Sequence, residues 1–368
     1  MLEALVAASE ALHRRVRAFA RGQGGDDFDR LACDIARFQA EHQPRLRRLY
    51  RRAGVEPAAL ARAAEVPAVP SDAFKLARVA VHPPELDARV FRTSGTTSGG
   101  RGEHPFRTTE TYDELSLAFG RAMLAPDGGR FRVVVLGPPP ESASDWSLGH
   151  MCARFGEALG GGALWALPRD AAGLGPIAEA VEGARRAGER VLLLATSFAL
   201  VYLIDALGDR PLPLPAGSRV MQTGGYKGKS REVDAGELRA ELARRFAIDG
   251  RAVVSEYGMT ELSSQAYEGT LRSLLGLEGG GEAGELIAPR WLRVEAVDPE
   301  TLAPLGPGGE GLARLVDLGN VDSAVAVQTA DRVRVDARGR VRLLGRQPGA
   351  APRGCSLAIE ELMAGGGA

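Results

Sequence analysis

Apolar residues open the chain at helical spacing. Leu2, Leu5, Val6, Leu12, Val16 and Phe19 form one such series, and Phe28, Leu31, Ile35 and Phe38 another. This predicts helices across residues 1–64, with His42-Gln43-Pro44 breaking or kinking the second. The proline-punctuated run from Val66 to Lys75 reads as an extended connector. A different rhythm follows. Helical stretches at 112–123, 148–159, 177–187, 198–207 and 233–246 are each followed by a short apolar strand, at 131–136, 163–167, 190–195, 218–222 and 252–255. Strands alternating with helices predict an α/β fold with a mostly parallel sheet. Ligands in such sheets bind at the carboxyl ends of the strands. From about Glu285 the period becomes two, over 291–297, 310–318, 324–335 and 341–344, with turn signals at Gly306-Pro307-Gly308-Gly309 and Arg338-Gly339. This predicts a small antiparallel β subdomain, with Gly279-Gly280-Gly281 as a mobile joint before it.

Composition adds bounds. The 368 residues are 45% hydrophobic and 25% charged, with a net charge of −1, so neither nucleic acid nor a membrane surface is implied as partner. No apolar run is long enough to cross a membrane. The N-terminus carries Glu3, Glu10 and arginines through its apolar pattern and reads as an amphipathic helix, not a signal peptide. Cys33, Cys152 and Cys355 are too scattered for a disulfide framework or zinc site. A reducing cytoplasm is the expected location.

Two stretches carry candidate chemistry. Five of the six residues Thr93, Ser94, Gly95, Thr96, Thr97 and Ser98 bear hydroxyls. Small residues let backbone N–H groups approach a ligand closely, and hydroxyls add donors for phosphate oxygens. The spacing is not that of a Walker loop. The second stretch, Val253-Val254-Ser255-Glu256-Tyr257-Gly258-Met259-Thr260-Glu261, runs from an apolar strand into a polar turn.

Together, Thr93–Gly99 and Tyr257–Glu261 resemble two signatures of the adenylate-forming enzymes (acyl-CoA synthetases, adenylation domains and luciferases), in the same order and at similar separation. The resemblance implies a large α/β domain with mostly parallel sheets flanked by helices, plus the small β subdomain. It implies ATP and Mg2+ as cofactors and a carboxylic acid as substrate. Tyr257 would stack on adenine, with Gly258 beside it. Thr260 and Glu261 would meet the α-phosphate and magnesium, with Glu261 as metal ligand. Gly224 and Gly225 resemble a second glycine-containing nucleotide loop, Asp331 an aspartate that binds both ribose hydroxyls, and Arg346 the arginine of the hinge. His150 stands where an aromatic or histidine often lies near the acyl carboxylate.

Within the superfamily the chain most resembles the acyl-protein synthetases of bacterial bioluminescence, the fatty-acid–luciferin-component ligase family, over about residues 60–363. That closer match rests on Pro70-Ser71-Asp72-Ala73-Phe74-Lys75 before the hydroxyl-rich loop and on Arg353-Gly354-Cys355-Ser356 near the C-terminus. It implies that Cys355 accepts the acyl group as a thioester and hands it to a partner, a reductase or carrier protein. A thiol near Arg353 and a helix start is expected to be a good nucleophile. Three departures stand out. The loop lacks the usual terminal Pro-Lys, leaving Arg101 as the nearest cation. Ala330 replaces the usual glycine before Asp331. The chain ends soon after the hinge, so a C-terminal lid domain and its catalytic lysine are expected to be lacking, with Lys227, Lys229 or other cations in its place.

The domain reading is a helical segment at 1–64, an α/β nucleotide-binding core at 65–282, a β subdomain at 283–346 and a short tail at 347–368. The functional reading is ATP-dependent acyl-AMP formation followed by transfer to Cys355. The alternatives are a ligase that passes the acyl group to CoA or a carrier protein, and a non-catalytic nucleotide- or acyl-binding subunit.

Overall fold

Residues 2–93, 100–168, 171–224 and 233–347 are described by a computed structural model. They begin with helices α1 (Leu2–Ala20), α2 (Phe28–His42) and α3 (Pro44–Arg52). Then come β1 (Val69–Pro70), α4 (Ala73–Leu76), β2 (Arg89–Arg92), β3 (Glu103–Phe106) and α5 (Glu110–Leu124). The alternating region holds β4 (Phe131–Leu136), α6 (Ser147–Gly160), β5 (Ala163–Ala166), α7 (Ala171–Ala187), β6 (Arg190–Thr196), α8 (Ser197–Leu207), β7 (Arg219–Thr223), α9 (Ala235–Phe246) and β8 (Val253–Tyr257). It closes with β9 (Ala266–Glu268), α10 (Thr270–Leu274) and β10 (Leu286–Ile287), and the chain continues into β11 (Leu292–Val297), β12 (Glu310–Asp317), β13 (Ala326–Val335) and β14 (Val341–Arg346).

Local signals set the helix ends. Asp27 caps α2 by accepting the Arg30 N–H. Gln43 ends α2 and, with Pro44 at the first position, starts α3, so the anticipated break at His42-Gln43-Pro44 is a helix boundary. Asp234 caps α9 by accepting the Gly236 and Glu237 N–H groups, and Arg244 and Arg245 face the negative end of the helix dipole.

The chain divides into two compact units. One comprises Leu117–Gly258 and Gln265–Ile287. Strands β4, β5, β6, β7 and β8 are parallel there, in the order β5-β4-β6-β7-β8, and β9 and β10 add antiparallel pairs. Alternate residues of β4 face opposite sides. Val134 and Leu136 join a core with Ile177, Leu200, Leu203 and Phe246 of α7, α8 and α9. On the other side, α6 approaches so closely that a Cβ at Gly160 would stand 2.9 Å from the Val133 side chain. The Gly279-Gly280-Gly281 run, expected as a mobile joint, packs against α10 instead. Its Gly280 leaves no room for a side chain, because a Cβ there would meet Ser273 Oγ at 2.4 Å.

The other unit gathers Met1–Ser116, Met259–Ser264 and the chain from Ala288 onward. Its sheet is antiparallel in the order β11-β12-β13-β14, with β1 parallel to β13 through Val69↔Val327. Buried polar groups tie the early helices to the late strands. Gln39 donates to Asn320 O and Val321 O at 2.6 and 2.9 Å. Arg314 donates to Val66 O at 2.6 Å and pairs with Glu295. The connector from Val66 to Lys75 is thus part of this unit's sheet and core, with Val69 and Phe74 buried. Hairpin β2–β3 stands apart as a two-stranded sheet with register Phe91↔His104. These short strands, β9 and α10 lacked a periodic signal because each is five residues or fewer.

Candidate active site

The hydroxyl-rich loop connects β2 to β3. Its described base is tightly bonded: Thr93 N donates to Gly102 O at 2.9 Å, Gly102 N donates to Thr93 Oγ1 at 2.8 Å, and Arg101 Nε donates to Thr93 O at 2.6 Å. The nearest substitute cation therefore braces the loop's own backbone. The Pro70–Lys75 segment packs beside it, with Phe74 edge-on to His104 at 5.5 Å between ring centroids. Ser94, Gly95, Thr96, Thr97 and Ser98 lie outside the described residues, as do Gly225, Lys227, Lys229 and Cys355.

Within the α/β unit, two predicted positions share one sheet end. Gly224 follows β7 and Tyr257 ends β8, and these neighbouring parallel strands pair through Thr223↔Glu256. Gly224 has φ +71°, a left-handed turn that glycine adopts without strain, and its carbonyl accepts the Ser197 hydroxyl at 2.9 Å. Tyr257 is half-buried. A Cβ at Gly258 would stand 2.5 Å from Glu256 Oε1, so that carboxyl group would have to shift to admit a side chain. His150 lies half-buried in the first turn of α6, on a separate element from the strand ends.

Glu256 itself went unread in the sequence. Burial pushes its carboxyl up to about 7, and a hydrogen bond with Thr223 only partly opposes this. Burial likewise pushes the Cys152 thiol up, with the Glu256 charge adding to it, so Cys152 is an inert core thiol. From about pH 4.5 to 7, native Glu256 keeps a proton that the unfolded chain has released. Its contribution is therefore present below pH 4.5 and is lost as pH rises through about 7. The loss amounts to about 3 kcal/mol. Urea midpoints across that range are expected to fall for the wild type and to fall much less for Glu256→Gln.

In the other unit, Thr260 is half-buried and Glu261 is only 6% exposed, in a turn without helix or strand. Their main chain is held by side chains the sequence reading did not single out. His104 Nδ1 lies 2.7 Å from Thr260 O, and Asn320 Nδ2 donates to Glu261 O at 2.9 Å. Beneath them, Asp317 accepts Ser263 N–H at 2.8 Å and the Ser264 hydroxyl at 2.6 Å. Burial pushes Asp317 up to about 6 against those hydrogen bonds. The only available signal was a polar Asp317-Leu318-Gly319-Asn320 turn inside an apolar run.

Asp331 and Arg346 come together as cross-strand partners of β13 and β14, with Arg346 Nε 3.3 Å from Asp331 Oδ1. Asp331 N also donates to Thr329 Oγ1 at 3.1 Å. Arg346 remains two-thirds exposed, so the pair is open to solvent on the arginine side.

Magnesium keeps several waters and takes one or two carboxylates alongside phosphate oxygens. A single carboxylate on a fixed main chain, as at Glu261, fits that demand. Among the described residues no group of three or more His, Cys, Asp or Glu could form a dedicated metal cage, and no helix is long and apolar enough to cross a membrane.

No family model matches the chain, and no curated protein matches its sequence. Solved structures do match its fold. A structure of 2-hydroxyisobutyryl-CoA ligase with 2-HIB-AMP, in the postadenylation state, superposes with TM-score 0.59 at 15% identity, over 86% of this chain and 67% of that one. An open conformation of the same enzyme with 2-HIB-AMP and CoA gives 0.57 at 15% identity, over 89% and 76%. ATP-bound MatB from Rhodopseudomonas palustris gives 0.49 at 18% identity over 71% of this chain, which spans about half, 48%, of MatB. The chain shares its fold with 2-hydroxyisobutyryl-CoA ligase.

Proposed function

We propose that this chain activates a carboxylic acid as its acyl-AMP and passes the acyl group to the Cys355 thiol, as an acyl-protein synthetase using ATP and Mg2+. The observation that supports the adenylation step is a buried Glu261 on a pinned turn within an adenylate-forming fold, and transfer to Cys355 rests on the sequence resemblance. The substrate carboxylate oxygen attacks the α-phosphorus of ATP, the bond to the bridging oxygen breaks, and pyrophosphate leaves. The thiolate then attacks the acyl carbonyl and AMP departs, leaving a thioester.

Each residue has a distinct part. Bound Mg2+ would neutralise charge on the phosphate oxygens. Glu261 holds that ion and Thr260 offers its hydroxyl to the α-phosphate. Tyr257, Gly224 and Gly225 receive the adenine, and Gly258 lets the chain pass close to it. Asp331 accepts both ribose hydroxyls, a task suited to a carboxylate, which only accepts when ionised. Arg346, paired with it, reaches ribose or phosphate. The loop from Thr93 to Ser98 wraps the leaving phosphates, and His150 meets the acyl carboxylate. The fatty acid class follows from the acyl-protein synthetase resemblance, as does a reductase or carrier protein as final acceptor.

Coenzyme A as acceptor is a second reading, favoured by the likeness to a ligase solved with 2-HIB-AMP and CoA. Intact-protein mass spectrometry separates them. Incubated with ATP, Mg2+ and a panel of carboxylic acids, the wild type is expected to gain an acyl mass that hydroxylamine removes, and Cys355→Ser is expected to gain none while still forming acyl-AMP. Acid-dependent AMP release without an adduct supports the coenzyme A or carrier reading. Neither adduct nor AMP supports the non-catalytic subunit.

A further inference from the structure

We infer that His104 and Asn320 are positioning residues that aim the Glu261 carboxylate by clamping the two peptide planes on either side of its Cα. The inference rests on the role proposed for Glu261. The segment from Gly258 to Gln265 has neither helix nor strand, so its carbonyls lack a ladder to pair with. Within it, one turn bond closes from Leu262 N to Met259 O at 3.1 Å. Side chains from distant parts of the same unit make up the difference. The peptide plane before Glu261 carries Thr260 O, which takes a hydrogen bond from His104 at 2.7 Å. The plane after it carries Glu261 O, which takes one from Asn320 at 2.9 Å. With both planes held, φ and ψ of Glu261 are set, and so is the direction of its side chain.

The chemistry of each clamp is one-sided. A carbonyl only accepts, so Nδ1 of His104 must carry the proton, and Nε2 then accepts from the Ser323 hydroxyl at 2.8 Å. Burial pushes His104 down to about 4, which keeps the ring in this single neutral form. Asn320 uses both of its donors and one acceptor site. Its amide donates to Glu261 O and Ala324 O, both at 2.9 Å, and its oxygen accepts the Ser263 hydroxyl at 2.7 Å. The clamp is itself anchored, because Gln39 holds Asn320 O and accepts Val325 N–H at 3.1 Å. Close packing completes it: a Cβ at Gly319 would press on Ser263 Cβ at 2.8 Å.

Amide geometry gives the test its discrimination. An asparagine at 104 places its nitrogen where Nδ1 stands, whereas a glutamine reaches the Nε2 position and loses Thr260. An aspartate at 320 has the shape of asparagine without its donors. Two readouts are taken on the full chain: hydrogen–deuterium exchange of the peptide covering 259–264, and acid-dependent pyrophosphate exchange. His104→Gln and Asn320→Asp are expected to speed the amide exchange about tenfold and to lower kcat about 100-fold, with KM for ATP little changed, as small misplacements of a reacting group do. His104→Asn is expected to retain wild-type behaviour in both. Equal behaviour of His104→Asn and His104→Gln, or unchanged amide exchange in His104→Gln and Asn320→Asp, overturns the inference. A wild type inactive with every acid would sink the functional reading alone, because the amide-exchange arm still decides whether the clamp exists.

Discussion

Glu261→Gln is expected to lower acid-dependent pyrophosphate exchange by about 1,000-fold, the scale of several kcal/mol that a metal contributes when it neutralises developing phosphate charge. Glutamine keeps the size and the buried setting of a residue only 6% exposed, so packing changes little. What would go is the negative charge proposed to hold a hard cation, for which an amide oxygen is a poor substitute. The loss should appear in kcat and in the Mg2+ concentration needed for half-maximal rate, while the urea midpoint stays near that of the wild type. An unchanged Mg2+ requirement would remove Glu261 from the metal and leave it as a structural acid.

Asp322→Ala is the variant expected to cost the most stability, about 3–5 kcal/mol, the range seen when one partner of a buried ion pair is removed. Asp322 is 7% exposed. It accepts the Ser9 hydroxyl at 2.5 Å, meets His13 Nε2 at 3.0 Å and lies 3.3 Å from Arg107 Nε. Alanine would take the carboxylate acceptor from the buried Ser9 hydroxyl and from His13 Nε2, while Arg107 would keep its pair with Glu10 at 2.7 Å. Burial alone would raise the Asp322 carboxyl, but the hydrogen bond and charge of His13, the Ser9 hydroxyl and the Arg107 charge together hold it below its ordinary value. Its contribution is therefore present above the unfolded carboxylate range and is lost as pH falls through the lower native value. Urea unfolding of wild type and variant should differ most near neutral pH and converge in acid. A difference below about 1 kcal/mol would mean that water satisfies the cluster once the carboxylate is gone.

The sequence alone determined the alternation of strand and helix from β4 to β8 and the antiparallel run after β10. Each of those elements has its own apolar period, and a period is a local property. The partnership of Asp331 with Arg346 was close to legible for the same reason, because β13 and β14 are consecutive strands joined by a short turn at Arg338-Gly339. Gly224 and Tyr257 were placed correctly at strand ends because both follow apolar runs. Short elements such as β2, β3 and β9 escaped, being too brief to show a period.

Only the tertiary structure decided what holds the chemistry in place. Its supports are His104, Asp317 and Asn320, from segments far from Glu261 in the chain. In the sequence these are a histidine in a four-residue strand and polar residues at the end of an apolar run. Nothing local distinguishes His104 from a surface residue, and Asp317 and Asn320 show only as a polar break in an apolar run. Their roles follow from burial, since a polar group removed from water must find a partner, and which partner it finds depends on long-range packing that periodicity does not encode. The sequence singled out Thr260 and Glu261 through a resemblance, and the fold decided which buried side chains would hold their main chain at a fixed angle.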